Sequence, residues 1–421
     1  MPDLDGKPSP KLKSAVDPDR RRRKTSSLKR SARRKRNAWF SVGVLTLLVV
    51  LIPVVLRSRH PRSQAQNVPD APPAGKDDLT AAQWISQGDA SLAKGDFSSA
   101  VQSYSQAIRL QPQDPGTVYR RGVVLLGKRE INDSIADFNE AIRLAPNFAQ
   151  AFYNRGNARS ARVDLDGAIA DYTQAIRLLP TYAEAFNGRG MVLDQKIEHD
   201  AAIKDFREST RLKPDPSSFY NLGKELLQKG ESDEAIQAFD QAIRLKHDFP
   251  EALNDRCRAL TGKGDYDRAI EDCSEAIRLY PGFAVAFNNR GNARNGQGDV
   301  SGALQDYDQA IHLDPDNPTT YCNRGTALRE KHDFTGAIKD YTDSITISPE
   351  NPEAFYGRAN ARRDQGDLNN ALVDYSEAIR LRPKNGPALY DRSNVRRKMG
   401  DIAGAQQDLQ EAIRLGQKPK R

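Results

Sequence analysis

The chain of 421 residues carries a formal net charge of +8, but that charge is concentrated near the N-terminus. Residues 1–37 contain 14 Lys or Arg and four Asp or Glu, whereas all later residues together contain 50 basic and 52 acidic side chains. The body of the chain therefore lacks the positive field of a nucleic-acid-binding protein, and no nucleic-acid partner is expected. Aromatic residues make up only 7%, and the 29 glycines and 24 prolines recur at intervals, which favours repeats over several globular domains.

The basic segment 1–37 is predicted to be a disordered cytoplasmic tail. It contains two basic runs, Arg20–Lys24 and Arg33–Arg36. Such runs are also typical of nuclear-targeting or nucleic-acid-binding segments. The apolar segment that follows favours a different role, as a cytoplasmic anchor flank.

Residues 38–56 are predicted to form one transmembrane helix. The segment AWFSVGVLTLLVVLIPVVL has 19 residues and no charge. As a helix it would be about 28 Å long, close to the ~30 Å hydrocarbon core of a bilayer. Trp39 lies at one edge, where its ring would sit at the membrane interface.

The charges that flank this segment predict its orientation. Residues 19–37 hold eleven Lys or Arg, and residues 57–76 hold four. The positive-inside rule then places the N-terminus in the cytoplasm and everything after Leu56 on the outer, periplasmic side of what we expect to be a bacterial inner membrane. The alternative is a cleaved signal peptide with its site near Ser63-Gln64-Ala65. Three arginines between the apolar run and that site argue against cleavage.

Residues 57–80 are predicted to be a Pro-rich linker, because they contain four prolines and few apolar side chains. Such a segment buries too little surface to order itself. After it, the sequence repeats with a period of 34 residues, and the motif Ala-Ile-Arg-Leu recurs through residues 81–415. A basic C-terminal tail, 416–421, follows. The ten repeats begin at Ala81, Pro115, Ala149, Ala183, Pro216, Pro250, Ala284, Pro318, Pro352 and Gly386.

The repeats share a pattern of large and small residues, with positions counted from the first residue of each repeat. Position 4 is large and apolar, position 8 is mostly Gly, position 20 is nearly always Ala, position 24 is usually aromatic, and position 32 is usually Pro. Examples are Trp84, Phe152, Gly88, Gly122, Ala100, Ala168, Tyr104, Phe138, Pro112 and Pro146. This pattern resembles the tetratricopeptide repeat. The resemblance implies an all-α right-handed superhelical solenoid of antiparallel helix pairs, attached here to one N-terminal transmembrane helix.

Two further columns predict the ends of the second helices. Position 18 is Ser, Asn, Asp or Thr in nine repeats, and we expect these residues to be N-caps. They are Ser98, Asn132, Asp166, Asp200, Asp233, Asp267, Ser301, Thr335 and Asn369. Position 29 is basic in nine repeats, which suits the C-terminal end of a helix.

Positions 7 and 23 vary together. Eight repeats have Arg at position 7 and Asp at position 23, and the two exceptions coincide, with Gln87 and Ser103 in repeat one and Leu222 and Ala238 in repeat five. We predict a structural, possibly bidentate Arg–Asp pair between the two helices of a repeat. The alternative is that the arginines form an anion-binding stripe.

Repeat six departs from its neighbours at positions 8 and 24, where it has Cys257 and Cys273. Because both change together on facing helices, a disulfide is predicted, provided that the compartment is oxidising. The alternative is a pair of buried thiols. Cys322 is expected to be free.

Asparagine is concentrated at positions 5, 6 and 9 of the first helices, which face the concave side in the family that the chain resembles. Because Asn is a poor helix former, its repeated use there indicates a function. An amide supplies a donor and an acceptor that match a peptide unit, so we predict a groove that binds extended peptide. Arginines at position 12 would favour acidic segments, while the alternative is that the asparagines merely solvate the surface. The predicted groove residues are Asn154, Asn157, Asn187, Asn221, Asn254, Asn288, Asn289, Asn292, Asn323, Asn360, Asn394, Arg329, Arg363 and Arg397.

No catalytic site is predicted, because the tail, anchor, linker and repeats account for the whole sequence. The five histidines, at positions 60, 199, 247, 312 and 332, show no metal-ligand spacing, so neither a metal site nor a cofactor is expected. The leading hypothesis is a membrane-anchored scaffold that binds a partner protein or extended peptide in its groove. The alternatives are a structural assembly factor that oligomerises or braces a membrane complex through its outer surfaces, and a cytoplasmic regulator, which requires the reverse topology.

Overall fold

The computed structural model describes residues 79–417, and in that range it contains twenty α-helices and no β-strand. The described helices fall into two compact units that divide between Arg162 and Val163, and each unit is described by itself. The helices of the first unit are α1 (Ala81–Ala93), α2 (Phe97–Leu110), α3 (Pro115–Gly127), α4 (Ile131–Leu144) and α5 (Ala149–Ala161). Those of the second unit are α6 (Leu165–Leu178), α7 (Ala183–Gln195), α8 (His199–Leu212), α9 (Pro216–Gln228), α10 (Ser232–Leu245), α11 (Pro250–Lys263), α12 (Tyr266–Leu279), α13 (Ala284–Gln297), α14 (Val300–Leu313), α15 (Pro318–Glu330), α16 (Phe334–Ile347), α17 (Pro352–Gln365), α18 (Leu368–Leu381), α19 (Gly386–Lys398) and α20 (Ile402–Arg414).

Each complete repeat within a unit is a helix pair. The first helix packs along the second helix of its own repeat, and that second helix packs against the first helix of the next repeat. The first unit therefore has two pairs and a fifth helix, and the second unit has one helix followed by seven pairs. This pairing matches the all-α expectation of antiparallel helix pairs.

The turn between the two helices of a repeat requires a left-handed backbone at position 15. Six repeats place glycine there, as in Gly298, which has a φ of 96°. The other four place Arg129, Val163, Ile197 and His332 there, with φ between 62° and 66°. A side chain with a Cβ disfavours this conformation, most strongly when it is β-branched. The turns at Arg129, Ile197 and His332 each join two helices of one unit, and the packing of those helices holds the turn in place.

The prediction that position 18 is the N-cap is wrong. The N-cap of the second helix is position 16 of the repeat. The carboxylates of Asp96, Asp299 and Asp333, all at this position, each accept a hydrogen bond from the backbone N–H three residues later. Position 18 lies in the first turn, where backbone N–H groups lack intrahelical acceptors and short polar or acidic side chains are favourable. The expectation for position 29 is confirmed, since Arg109 and Arg414 lie in the last turns of α2 and α20.

The core of repeats one, two, four, five, seven and eight contains a contact between a glycine on the first helix and an aromatic ring on the second. A Cβ added to Gly291 would lie 2.6 Å from the ring of Tyr307, and one added to Gly122 would lie 2.9 Å from Phe138. Both rings are buried, as are the alanines at position 20. Small residues at positions 8 and 20 thus allow the close approach of helices that the pattern predicted.

The Arg–Asp pairs are confirmed for the seven that lie within one unit. In each pair the arginine Nε and Nη2 donate to the two carboxylate oxygens at 2.6–3.0 Å. The pairs are Arg121–Asp137, Arg189–Asp205, Arg256–Asp272, Arg290–Asp306, Arg324–Asp340, Arg358–Asp374 and Arg392–Asp408.

The same arginines also bind the preceding repeat. Nη1 of Arg290 donates to Oγ of Ser274 at 3.1 Å, and Nη1 of Arg324 donates to Oδ1 of Asp308 at 2.6 Å. Equivalent bonds to position 25 of the preceding repeat occur for the other five arginines. One guanidinium thus joins three helices, and each of its three nitrogens donates within the chain, which favours the structural interpretation of this column over an anion-binding stripe.

Several predicted segments lie outside the described residues. These are the basic tail 1–37, the transmembrane helix 38–56, nearly all of the linker 57–80, and residues 418–421. Between residues 79 and 417, no helix has both the length and the apolar character needed to cross a membrane.

Candidate functional site

The first helices line the inner side of each unit. Consecutive first helices from α7 to α17 contact one another, as do α3 and α5, whereas no two second helices make more than marginal contact within a unit. Helices on the inside of a curve lie closer together than those on the outside. We therefore assign positions 5, 6 and 9 of the first helices to the inner surface of their unit, the side that the family resemblance implied.

A ladder of hydrogen bonds joins neighbouring first helices along this surface. Each bond connects the side chain at position 5 of one repeat with the side chain at position 6 of the next, at 2.7–3.2 Å. We call these six bonds the inner-face ladder. Its steps are Tyr119–Asn154, Asn187–Asn221, Tyr220–Asp255, Asn254–Asn289, Asn288–Asn323 and Tyr356–Asp391.

Four asparagines continue the ladder as one connected chain of amides. Nδ2 of Asn323 donates to Oδ1 of Asn288 at 2.9 Å, and Nδ2 of Asn288 donates to Oδ1 of Asn289 at 3.3 Å. Nδ2 of Asn289 then donates to Oδ1 of Asn254 at 2.9 Å. Asn254, Asn288 and Asn289 are buried, and Asn323 is half-buried. The amides are therefore first of all a link between repeats six, seven and eight.

Position 9 has a different intramolecular role. In some repeats with tyrosine at position 24, the residue at position 9 accepts the hydroxyl proton, as Asn292 does from Tyr307 at 2.9 Å and Asn360 does from Tyr375 at 2.6 Å. Where position 24 is phenylalanine, position 9 is Val123, Met191 or Lys224. Part of the asparagine enrichment thus satisfies buried phenols.

The predicted arginines at position 12 are mostly paired. Nη1 of Arg329 donates to Asp364 at 3.1 Å, and Arg363 donates to both Asp364 and Asp391. Asp391 in turn accepts the hydroxyl proton of Tyr356 at 2.7 Å, and burial raises the pKa of that phenol to about 12. Arg397 is exposed. The acidic partners on the chain reduce the capacity of this end of the surface to attract an acidic segment.

The remaining predicted residues differ in burial and in the hydrogen bonds that they make. Asn154 is fully buried, donates to Tyr119 and accepts a bond from Asn157 at 3.3 Å. Asn187 accepts from Asn221 at 3.2 Å. Asn394 is half-buried. Its repeat has Leu409 at position 24, so no tyrosine hydroxyl at that position donates to the side-chain oxygen of Asn394.

Each ladder amide retains hydrogen-bonding capacity. A primary amide has two N–H donors and two acceptor lone pairs, and the chain of four asparagines uses about half of these. Oδ1 of Asn323 accepts no hydrogen bond from any residue in the range 79–417. Arg258, also at position 9, is exposed on the same surface in repeat six. This surface can therefore donate to and accept from a peptide backbone that lies against it.

Sequence reasoning missed the non-asparagine members of the ladder. Tyr119, Tyr220 and Tyr356 at position 5 and Asp255 and Asp391 at position 6 make the same inter-repeat bond as the asparagines. The recurring offset of 35 residues between polar partners would have indicated them. A second missed group is the cluster of Asp194, His199 and Glu225, where one ligand-capable atom from each residue lies within 4.8 Å of the others.

The predicted disulfide partners are adjacent. The Cα atoms of Cys257 and Cys273 are 5.7 Å apart, and their sulfur atoms are bonded in the structure. Both side chains are fully buried between α11 and α12. Oxidation of this pair in the cell stays a prediction. Cys322 is not part of a disulfide.

Protein-family models match six stretches of the chain, and all of these models describe the same kind of repeat. Family models described as TPR repeat match residues 88–128 and 291–331, and models described as tetratricopeptide repeat match 119–183, 148–216, 220–284 and 352–385. Together these matches span more than half of the chain. No curated protein matches the chain.

Solved structures of similar chains cover different shares of the sequence. YrrB, titled a TPR protein with an unusual peptide-binding site, is 27% identical over 46% of this chain and 97% of its own, with a TM-score of 0.42. MamA is 29% identical over 37% of this chain and 92% of its own, with a TM-score of 0.35. Yeast Tom70 is 15% identical over 80% of this chain and 92% of its own, with a TM-score of 0.45.

Proposed function

Because the chain belongs to the tetratricopeptide-repeat family, we propose that it binds an extended segment of a partner protein on the inner face of its second unit. Proteins of this family generally mediate protein–protein interactions, and the fold is typically a non-enzymatic scaffold. One observation carries the proposal. The inner-face ladder places amides with unused donors and acceptors side by side on consecutive repeats.

An extended peptide matches this surface because each of its residues has one N–H and one C=O that need partners. The segment would lie across α11, α13 and α15, where the four ladder asparagines are contiguous. Asn288 and Asn289 are each 8% exposed, so only groups that approach as closely as a backbone can reach them. Asn323 ends the chain of amides with its free Oδ1. Recognition would depend on the backbone more than on side chains, and a broad sequence preference follows.

The proposed scaffold is anchored to a membrane by residues 38–56, with its N-terminus in the cytoplasm and the repeats on the outer side. The eleven basic residues before the segment and the four after it support this orientation. Reporter fusions placed after Lys76 test it. A reporter that is active only outside the cytoplasm should be active there, and activity of a cytoplasm-only reporter would exclude the proposed topology.

Site-specific photo-crosslinking in intact cells tests the binding surface. A photoreactive amino acid replaces Arg258 or Arg397, which are exposed on the inner face. Matched controls carry the same residue in place of Gln305 or Lys339, which lie at the exposed position 22 of α14 and α16. We expect a discrete partner adduct from the inner-face position Arg258 and none from the two outer positions.

A second comparison ties the adduct to the ladder. Replacing Asn288 and Asn323 with alanine in the Arg258 crosslinking variant should reduce the adduct several-fold, while circular dichroism shows that the helices are retained. Adducts that form only at the outer positions would favour an assembly factor that uses its outer surfaces. An undiminished adduct in the folded alanine variant would show that the ladder does not bind the partner.

A further inference from the structure

The junction between repeats four and five breaks two columns of the repeat pattern at once. Position 10 is Ala or Val in nine repeats but Glu225 in repeat five. Position 17 is apolar in eight repeats but His199 in repeat four. At ordinary junctions these two positions pack together, as Phe97 does in the cluster that contains Val124 and as Leu368 does in the cluster that contains Val395. At this junction an apolar contact between α8 and α9 has been replaced by a polar one.

The replacement leaves a buried carboxylate only partly satisfied. Oε2 of Glu225 lies 2.9 Å from Nδ1 of His199, and the Glu225 side chain is 1% exposed. Its other oxygen, Oε1, is buried and has no hydrogen-bond partner within residues 79–417. An ion pair between histidine and glutamate explains one carboxylate oxygen but leaves the other without a partner, at a substantial cost in free energy.

Asp194, at position 12 of α7, brings a second carboxylate to the same point. One ligand-capable atom each from Asp194, His199 and Glu225 lie within 4.8 Å of one another. Two carboxylates this close repel each other unless a proton or a cation lies between them. The nearest lysine, Lys224, has its Nζ 3.7 Å from Asp194 Oδ2, and its side chain is 39% exposed. It can turn into solvent when another cation takes its place.

We propose that Asp194, His199 and Glu225 bind one first-row divalent metal ion, with Zn²⁺ as the representative species. The site would join α7, α8 and α9. One imidazole nitrogen and two carboxylate oxygens form a mixed ligand set that suits such ions better than Mg²⁺ or Ca²⁺, which prefer all-oxygen sites. Three protein ligands leave a fourth, open position, which water can fill. The metal would take the place between Nδ1 of His199 and the carboxylate of Glu225 that a proton otherwise holds.

Gln228 supplies the supporting contact that metal-bound histidines usually have. Nε2 of its side-chain amide lies 3.1 Å from Nε2 of His199, the ring nitrogen that does not contact Glu225, and a flip of the amide exchanges this nitrogen for the oxygen. With the amide oxygen turned toward the ring, Nε2–H donates to it and Nδ1 is left unprotonated as a ligand. In the flipped orientation Gln228 would be a positioning residue, because it would fix the tautomer that can bind a metal.

Metal titration of the full-length, untagged protein tests the site. The protein is purified in detergent, stripped with a chelator, and titrated with Co²⁺, whose visible absorption reports coordination. We expect saturation at one Co²⁺ per chain, displacement by Zn²⁺, and no displacement by excess Mg²⁺. Glu225→Gln and His199→Gln should each weaken binding by at least about tenfold. The matched control is His312→Gln, which removes an exposed histidine and should bind as the wild type does.

A third variant keeps the test decisive if a buried substitution impairs folding. Asp194→Asn changes a side chain that is 32% exposed, so the repeats should fold, and it should also weaken Co²⁺ binding. Zn²⁺ should raise the melting temperature of the wild type and of His312→Gln but not of the site variants. The proposal is wrong if the wild type shows no saturable binding of one ion per chain. It is also wrong if the folded Asp194→Asn variant binds Co²⁺ as tightly as the wild type.

Discussion

Repeats seven and eight (284–351) and repeats five and six (216–283) belong to the same unit but join their helices by different chemistry. Repeats seven and eight have both standard links, the Arg–Asp pair and the contact between a glycine and a tyrosine ring. Repeat five replaces the Arg–Asp pair with Leu222 and Ala238, and repeat six replaces the glycine and the ring with two cysteines. In both cases the two partners change together. The helix pair thus requires complementary partners more than it requires one particular interaction.

The largest expected effect comes from breaking a standard link on one side only. Arg324→Leu leaves Asp340 buried without its bidentate partner, and we expect the local free energy of unfolding to fall by about 3–5 kcal/mol. The double variant Arg324→Leu/Asp340→Ala reproduces the residues of repeat five and should recover most of that loss. Hydrogen exchange of the amides in α15 and α16 measures both. If the single and double variants showed equal protection, the paired change to Leu222 and Ala238 would not explain the stability of repeat five.

An intermediate effect is expected at the cysteines of repeat six. Non-reduced peptide mapping of protein isolated from the cell without reductant should find Cys257 and Cys273 joined. Reduction should then lower the stability of the repeat by about 3 kcal/mol, since the bond closes a loop of about 15 residues.

Two variants serve as controls for the cysteine prediction. Cys257→Gly/Cys273→Tyr restores the residue pair of the neighbouring repeats and should make the melting temperature insensitive to reductant. Cys322→Ser should leave the sensitivity of the wild type unchanged. Two free thiols at 257 and 273 in protein from the oxidising compartment would contradict the predicted bond.

The smallest expected effect comes from adding one methyl group to a glycine in each of the two regions. Gly291→Ala places a Cβ 2.6 Å from the ring of Tyr307, and such overpacking should cost about 1–3 kcal/mol. Gly262→Ala, in α11 of repeat six, meets no atom within 4 Å and should be neutral or stabilising by up to about 1 kcal/mol because alanine favours a helix. Chemical denaturation of both variants gives the comparison. A loss at residue 262 as large as that at residue 291 would mean that the contact with the ring is not the cause.

The sequence indicates where much of the candidate site lies, but it does not show which hydrogen bonds its side chains make. The columns at positions 5, 6 and 9 predict one surface of the first helices, because side chains at these spacings share a helix face. They did not reveal that Asn288 and Asn289 hydrogen-bond to neighbouring repeats or that Asn360 accepts a tyrosine proton. Those partners lie in other helices. Aligning the repeats shows which positions are polar, but it does not show how close two polar side chains lie in space.

The sequence by itself determined the period, the helix pairs and the Arg–Asp links, because each of these recurs at fixed positions, the period in all ten repeats and the Arg–Asp columns in eight of them. The N-caps were assigned two residues too late, since Ser, Asn and Asp are favourable both at a cap and in the first turn, and only the backbone distinguishes the two. The cluster of Asp194, His199 and Glu225 required the tertiary structure for a related reason. Its members stand at three different positions in two repeats, and they meet only because α7, α8 and α9 pack against one another.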